Sequence, residues 1–382
     1  MTVKPLAGLR VVERAAGVAA AQAGRLLRQM GADVIMAEPP GGTSLRQEPP
    51  LLPGGTSALF TYLSVGKCSV ICDPDDGFRK DIDALLATAN ILIDDTPVAD
   101  RAALGLDPDR IAAAHPHLVH LSVLPFGAFG PKADWAGEEL TLVHAGGEGF
   151  LLPNGLSADL FPDRPPLKIA GHFAQLQGGT TAAMAAIAAL WSGKGQFVDA
   201  SVQDANVAVG AFAIQRFGDG SIEHRLTRSF KFGGVIKCAD GYVELLTLES
   251  RQWQGLVDLL GADDWAADRE LADEVGRSAR GAEINQRIRS WARGWKVEDL
   301  VRAAQDRGVP MARYNTPAQV LEGAQERARG IFQAVEADGG PVKVQSLPFR
   351  FGPEALSVDG AVPAPGDQQA LLDAEDAKRE TA

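Results

Sequence analysis

Short runs of aliphatic and β-branched residues alternate with alanine-rich or amphipathic stretches through the first third of the chain, and that alternation leaves few folds open. Residues 9–13, 32–38, 67–73, 90–94 and 118–124 read as strands, while 15–30, 78–88 and 108–115 read as the helices between them. Strands joined by helices lie parallel, because a helical crossover returns the chain to the same end of the sheet. The pattern predicts an α/β protein built on a large, doubly wound, Rossmann-like layer.

Downstream the rhythm changes. Residues 125–166 are loop-like, with several Gly and Pro, and lead into a long alanine-rich helix over 177–191 that Ser192-Gly193-Lys194-Gly195 closes. After a strand at 197–201 and another helix, residues 232–248 read as two strands around Ala239-Asp240-Gly241, and 251–329 as mainly amphipathic helix. The expected organisation is a large α/β domain over 1–205, a smaller α+β domain over 206–330, and a segment over 331–382. That last segment is extended and proline-rich, ends in a helix, and returns across the large domain.

Hydrophobic residues make up 46% of the 382 and charged residues 23%, enough apolar material for a substantial core. The net charge of −12 and the scattering of Lys and Arg argue against nucleic acid as a partner. Cys68, Cys72 and Cys238 make neither a disulfide framework nor a paired metal-ligand motif, so all three are expected as reduced thiols and no metal is expected. The sequence starts without an apolar leader and nowhere holds eighteen consecutive apolar residues, so the expectation is a cytoplasmic protein without a membrane span. Phosphate-binding P-loop and nucleophile-elbow motifs are absent.

Three blocks carry a further signal. The first is Leu9-Arg10-Val11-Val12-Glu13 with residues 26–35 and Glu38-Pro39-Pro40-Gly41-Gly42. The second is Leu121-Ser122-Val123 with Phe126-Gly127-Ala128-Phe129-Gly130-Pro131, and the third is Ala188-Ala189-Leu190-Trp191 with residues 193–205. In this order and spacing they resemble the class III CoA-transferases, the CaiB/BaiF family that includes formyl-CoA transferase, carnitine CoA-transferase and α-methylacyl-CoA racemase. Weaker echoes at Ala239-Asp240-Gly241-Tyr242 and Gly308-Val309-Pro310 extend the likeness over nearly the whole chain. The resemblance implies an interlocked dimer, each subunit threaded through its partner, with a CoA thioester and a small carboxylic acid as ligands. It also implies covalent catalysis, in which an aspartate takes the acyl group as an anhydride and then CoA as a thioester.

The chain departs from that pattern where the chemistry lies. Counting back from Ala189-Leu190 by the family's spacing puts Gln175 where the transferases carry the aspartate, and no acidic residue occurs between Arg164 and Leu190. An amide forms no acyl anhydride. The racemases' His-Asp block is replaced by Gly137-Glu138-Glu139-Leu140. Glu139 aligns with an acidic active-site position of several transferases, so Glu139 and Glu138 are candidate catalytic carboxylates, the bland alternative being a solvated loop pair. His172 is a candidate base, or else a hydrogen-bonded structural histidine.

For CoA, Lys67 matches a family lysine near the adenine and phosphate end, and Arg46 and Arg101 are candidates for further charge. Val18, Asp95 and Thr96 complete the candidate CoA-binding set, although in Asp94-Asp95-Thr96-Pro97 carboxylates replace neutral donors and repel phosphate. Gly233-Gly234 stands near a glycine loop that closes over some family sites, and Phe150, Leu151, Leu152, Pro153 and Phe161 are expected to line the pocket. Four functions stay open. The chain transfers CoA between carboxylic acids from an altered site, or it does isomerase or lyase proton chemistry on a thioester, or it is the non-catalytic subunit of a heteromeric transferase, or it binds acyl-CoA on its own without turnover. Accordingly it is expected as a homodimer, or as a heterodimer with a same-family subunit.

Overall fold

Six strands form one parallel sheet in a computed structural model that describes residues 4–74, 77–152, 163–164, 169–210, 231–353 and 355–372. The chain divides into two compact units, one of Met1–Glu148, Lys168–Ile214 and Ala324–Ala382, the other of Gly149–Leu167 and Gln215–Gly323. In the first unit the order is β1 (Arg10–Arg14), α1 (Val18–Gln29), β2 (Asp33–Glu38), α2 (Ala58–Ser64), β3 (Cys68–Ile71), α3 (Phe78–Leu86) and β4 (Ile91–Asp94). There follow α4 (Val98–Leu104), α5 (Pro108–Ala114), β5 (Val119–Leu124), α6 (Glu139–Ala145), α7 (Phe173–Trp191), β6 (Gln196–Ser201) and α8 (Val202–Val209). The strand order β3-β2-β1-β4-β5-β6 is the doubly wound arrangement predicted from the sequence.

Helices cover both faces of the sheet, so its central strands are enclosed: β4 and β5 are buried at every residue. On one face α1 is buried except at Arg28, and α7 lies across it. Gly178 and Gly179 permit that approach. A Cβ on Gly179 would sit 2.3 Å from the Ala19 carbonyl oxygen, and one on Gly178 would sit 2.7 Å from Val202. Although α7 is apolar nearly all round, its outer face leaves Met184 66% and Trp191 93% exposed within the single chain.

Beneath α1 lies a buried ion pair. Lys67 Nζ donates to both oxygens of Glu13, at 2.8 and 2.7 Å, and to the Ala21 carbonyl at 3.0 Å. Gly24 makes room for it, since a Cβ there would fall 1.6 Å from a Glu13 oxygen.

The second unit holds an antiparallel sheet of β7 (Gly234–Lys237), β8 (Tyr242–Leu245) and β9 (Met311–Arg313). Its helices are α9 (Ser250–Leu260), α10 (Asp263–Ala267), α11 (Glu274–Ala279), α12 (Gly281–Ala292), α13 (Val297–Gln305) and α14 (Pro317–Leu321). Trp253 and Trp265 stack in its core with centroids 5.5 Å apart, beside Leu256, Ile284, Ile288 and Leu300.

The chain then returns to the first unit through α15 (Ala324–Arg329) and the hairpin β10 (Phe332–Ala337) and β11 (Gly340–Gln345). Its last described stretch runs along β3, the sheet's free edge. Ser69 N–H donates to Asp367, Gln368 N–H to the Ser69 carbonyl, and Ile71 N–H to Gln369. The segment thus occupies an edge that would otherwise offer open backbone groups to another strand.

Among the described residues all three cysteines are free thiols, and no helix is long and apolar enough to cross a membrane. Pro153, Phe161 and the end of the C-terminal helix lie outside the described residues.

Adding one methyl group at Gly24 tests the packing of α1 over the ion pair. Gly24→Ala is expected to lower unfolding free energy by about 1–3 kcal/mol, the usual cost of overpacking, in urea titrations. Unchanged stability would mean that Glu13 is free to move aside.

Candidate active site

The strand order reverses between β1 and β4, so the carboxyl ends of these neighbours feed chains to opposite faces and leave a crevice between them. A cavity of about 460 Å³ opens there. Gly17 and Ala20 line it from the start of α1, Asp95 from the end of β4, Leu124 from the end of β5, Trp135 and Glu138 from the following loop, and Gln175 from the first turn of α7. Two helix amino termini therefore border one pocket. Each brings backbone N–H groups that lack a partner within the helix and a partial positive charge.

Both termini are satisfied by carboxylates distant in sequence. At α7, Glu139 accepts the Ala174 N–H at 2.8 Å through one oxygen and the Gln175 N–H at 3.2 Å through the other. Asn206, on α8, steadies the same turn by donating to the Ala174 carbonyl at 3.1 Å. At α1, Asp95 Oδ2 accepts from Gly17 N–H at 2.7 Å and from Ala16 N–H at 2.9 Å, whereas Oδ1 has a single contact with Ala16 N–H at 3.1 Å.

Burial pushes the Asp95 carboxyl up to about 7; the Asp94 charge adds to this, against the opposing pull of the Gly17 and Ala16 N–H groups and Arg14. Asp94 goes the other way. Burial raises it, but the hydrogen bond from His120 and the charge of Arg101 prevail and hold it below the usual carboxylate range.

Several residues singled out from the sequence stand elsewhere. Lys67, expected beside phosphate, is buried in its pair with Glu13. Burial lowers the Lys67 ammonium and raises the Glu13 carboxyl, so the pair is held apart from water rather than turned toward a ligand. Arg46 forks onto Glu38 with bonds of 2.9 and 2.6 Å and lies 4.3 Å from the centre of the Phe60 ring. Arg101 is buried, donating to Ser122 Oγ at 2.7 Å and the Thr96 carbonyl at 3.0 Å.

Thr96 is buried with its N–H on Asp94, and Val18 is part of the apolar cluster with Met36, Leu45 and Phe60. Glu139 is a buried helix cap, whereas Glu138 is exposed and lines the cavity. His172 is the residue before α7, half-buried, with Nδ1 lacking a partner. Gly233 and Gly234 lead into β7 with φ of +97° and +71°, where a Cβ at 233 would meet the Leu245 carbonyl.

The structure thus brings together Gln175, Glu139, Glu138 and Asp95, and separates them from the three expected cations. It also adds residues that the sequence reading passed over. Gly17 forms part of the pocket wall, and Trp135 packs edge-on to Phe126 with Lys132 Nζ about 5.4 Å from its ring centre. Lys132 directly follows Gly130-Pro131, the end of a block already singled out, so its position was readable from that block.

Comparison with known proteins agrees with this architecture. The sequence profile of CoA-transferase family III matches residues 6–369, and the chain belongs to that family. It is 29% identical over 389 residues to a succinate–glutarate CoA-transferase of Agrobacterium fabrum, covering 97% of this chain and 95% of the relative. It is also 29% identical over 253 residues to subunit BbsE of the succinyl-CoA:(R)-benzylsuccinate CoA-transferase of Thauera aromatica, covering 63% of this chain and 61% of that one. A crystal structure of a CAIB/BAIF family protein from Brucella suis superposes with a TM-score of 0.82 at 29% identity, covering 97% of this chain and 99% of that one.

The raised Asp95 carboxyl has a consequence for stability. Its folded value lies above the unfolded value of about 3.9, so its contribution is fully present below that pH and is lost as pH rises through about 7. Asp95→Asn, which carries no charge to bury, is expected to gain in melting temperature relative to the parent between pH 5 and pH 8. A difference between the two proteins that stays flat across that range would contradict the assignment.

Proposed function

We propose that this chain binds a CoA thioester in the cavity between Gly17 and Gln175 and exchanges CoA between two carboxylic acids without a carboxylate at position 175. The observation that carries the reading is the position of Gln175, held on the first turn of α7 by Glu139 and bordering a cavity at the sheet's switch point. In that place an amide acts as a hydrogen-bond donor to the thioester carbonyl and not as a nucleophile. Glu139 is buried against the start of α7 and, among the described residues, is not part of the cavity wall, so it supports the turn and is a poor candidate for covalent chemistry.

Short dicarboxylic acyl groups are the favoured substrates, on the strength of the relative named for succinate and glutarate. With Lys67, Arg46 and Arg101 all held in internal contacts, Lys132 beside Trp135 is the favoured cation for the CoA phosphates.

A second reading has its own support. The relative BbsE is named as one subunit of a transferase, and the outer face of α7 exposes Met184 and Trp191, which a partner would cover. Here the chain pairs with a same-family subunit that keeps the aspartate.

Mass-spectrometric CoA exchange between succinyl-CoA and labelled acids tests the two. The purified chain alone is expected to exchange CoA, and Gln175→Asp to do so at least about tenfold faster, because the carboxylate opens the anhydride route. Silence of the lone chain, with activity restored by co-expression with an aspartate-bearing family member, would replace the first reading by the second.

A further inference from the structure

Three acids line the cavity: Asp95, Asp134 and Glu138. Asp134 and Glu138 are exposed, and the Glu138 side chain accepts the Thr141 N–H in the capping box of α6. Asp95 is different. It sits at the end of β4, half-buried, with its own N–H on the Arg14 carbonyl at 3.3 Å and its side chain against the start of the twelve-residue helix α1.

We propose that Asp95 is the nucleophilic carboxylate of this pocket, taking over covalent catalysis from position 175. The inference rests on the transfer reading given above and names the residue that performs it.

The hydrogen bonds distinguish its two oxygens. Oδ2 takes the short bonds from Gly17 and Ala16, whereas Oδ1 has only the longer one and is the freer to attack. A Cβ on Gly17 would stand 3.2 Å from Oδ2, so glycine there lets the start of α1 close on the oxygen that its N–H groups hold.

The steps balance. Oδ1 adds to the donor thioester carbonyl, the C–S bond breaks, and CoA thiolate leaves with the electron pair, giving a mixed anhydride on Asp95. The thiolate then attacks the Asp95 carbonyl, whose oxygen accepts the Gly17 and Ala16 N–H bonds, and the donor acid departs as carboxylate. An acceptor carboxylate repeats the two steps in reverse and leaves with CoA, restoring Asp95. Throughout, the two N–H groups at the α1 terminus stabilise the tetrahedral oxyanion on the Asp95 carbon, and Gln175 lies across the pocket as a donor to the substrate carbonyl.

Ionisation of Asp95 makes the nucleophile, so the exchange rate is expected to rise through pH 7. The charges bearing on that ionisation are Asp94 and Arg14 from the strand ends, and Asp134 and Glu138 from the loop across the cavity.

The same hydrogen bonds would also suit a structural cap, and an isotope separates the two roles. In this route an acceptor oxygen remains on the enzyme carboxylate after each turnover. The full chain is incubated with succinyl-, acetyl- or butyryl-CoA, each with its own acid doubly labelled with ¹⁸O, and then digested for peptide mass analysis. Labelled acyl-CoA, together with ¹⁸O in the peptide that carries Asp95, is the expected result. Exchange by Asp95→Asn, which keeps an oxygen for the helix N–H groups, is expected to fall by more than about 10³-fold. Exchange that labels the peptide of Asp134 or Glu138, or no peptide at all, would overturn the assignment to Asp95 while leaving CoA transfer standing. An absence of exchange with every thioester would overturn the transfer reading, and this assignment with it.

Discussion

Two helices begin at the same cavity, and each needs an acceptor for N–H groups that its own backbone cannot satisfy. Asp95 meets that need for α1 and Glu139 for α7, and the two bonding patterns fix where the pocket's walls stand. Glu139 comes from the first turn of α6 and Asp95 from the end of β4, so the site is clamped by elements far apart in sequence. Gly17, Gly178 and Gly179 belong to the same constraint, since they let α1 lie close to Asp95 and α7 lie close to α1 and α8. A carboxylate facing a helix terminus is a strong acceptor whether or not it reacts. Because Glu139 binds backbone N–H groups of the first turn of α7, its hold on that turn does not depend on the side chain at position 175.

The basic residues follow a different logic. Glu13 and Lys67 face each other beneath α1, Glu38 and Arg46 beside Phe60, and Asp94 and Arg101 at the end of β4. A buried charge without a partner is costly enough that each of these cations is paired inside the fold. These contacts lie inside the fold, beneath α1, beside Phe60 and at the end of β4. Lys132, on the loop that carries Trp135, stands 5.4 Å from the centre of that ring, and Trp135 lines the cavity.

The parallel sheet was legible because its central strands are short, mainly apolar runs and a helix between them, α3, is amphipathic. Residues 90–94 and 118–124 differ from the observed β4 and β5 by only a residue at their starts. The start of α7 was not legible. The alanine-rich pattern gave a helix from residue 177, whereas Glu139, 36 positions before Gln175, caps it so that it begins at Phe173. That difference places Gln175 inside the first helical turn. The short α6 lay hidden in a stretch rich in Gly and Pro that reads locally as loop. The buried pairing of Lys67 was not legible for a similar reason, because its partner Glu13 is 54 residues away. Which carboxylate borders the pocket beside Gln175 depends on how α1 and β4 meet, through contacts that join residues 78 positions apart.

The most direct test of the account is a crystal structure of this chain with a non-transferable thioether analogue of succinyl-CoA. The account predicts the acyl carbonyl between Asp95 and Gln175, with Asp95 Oδ1 at an approach distance of about 3–3.5 Å. An analogue bound with its carbonyl outside the crevice between β1 and β4, or against an acidic oxygen other than that of Asp95, would contradict it.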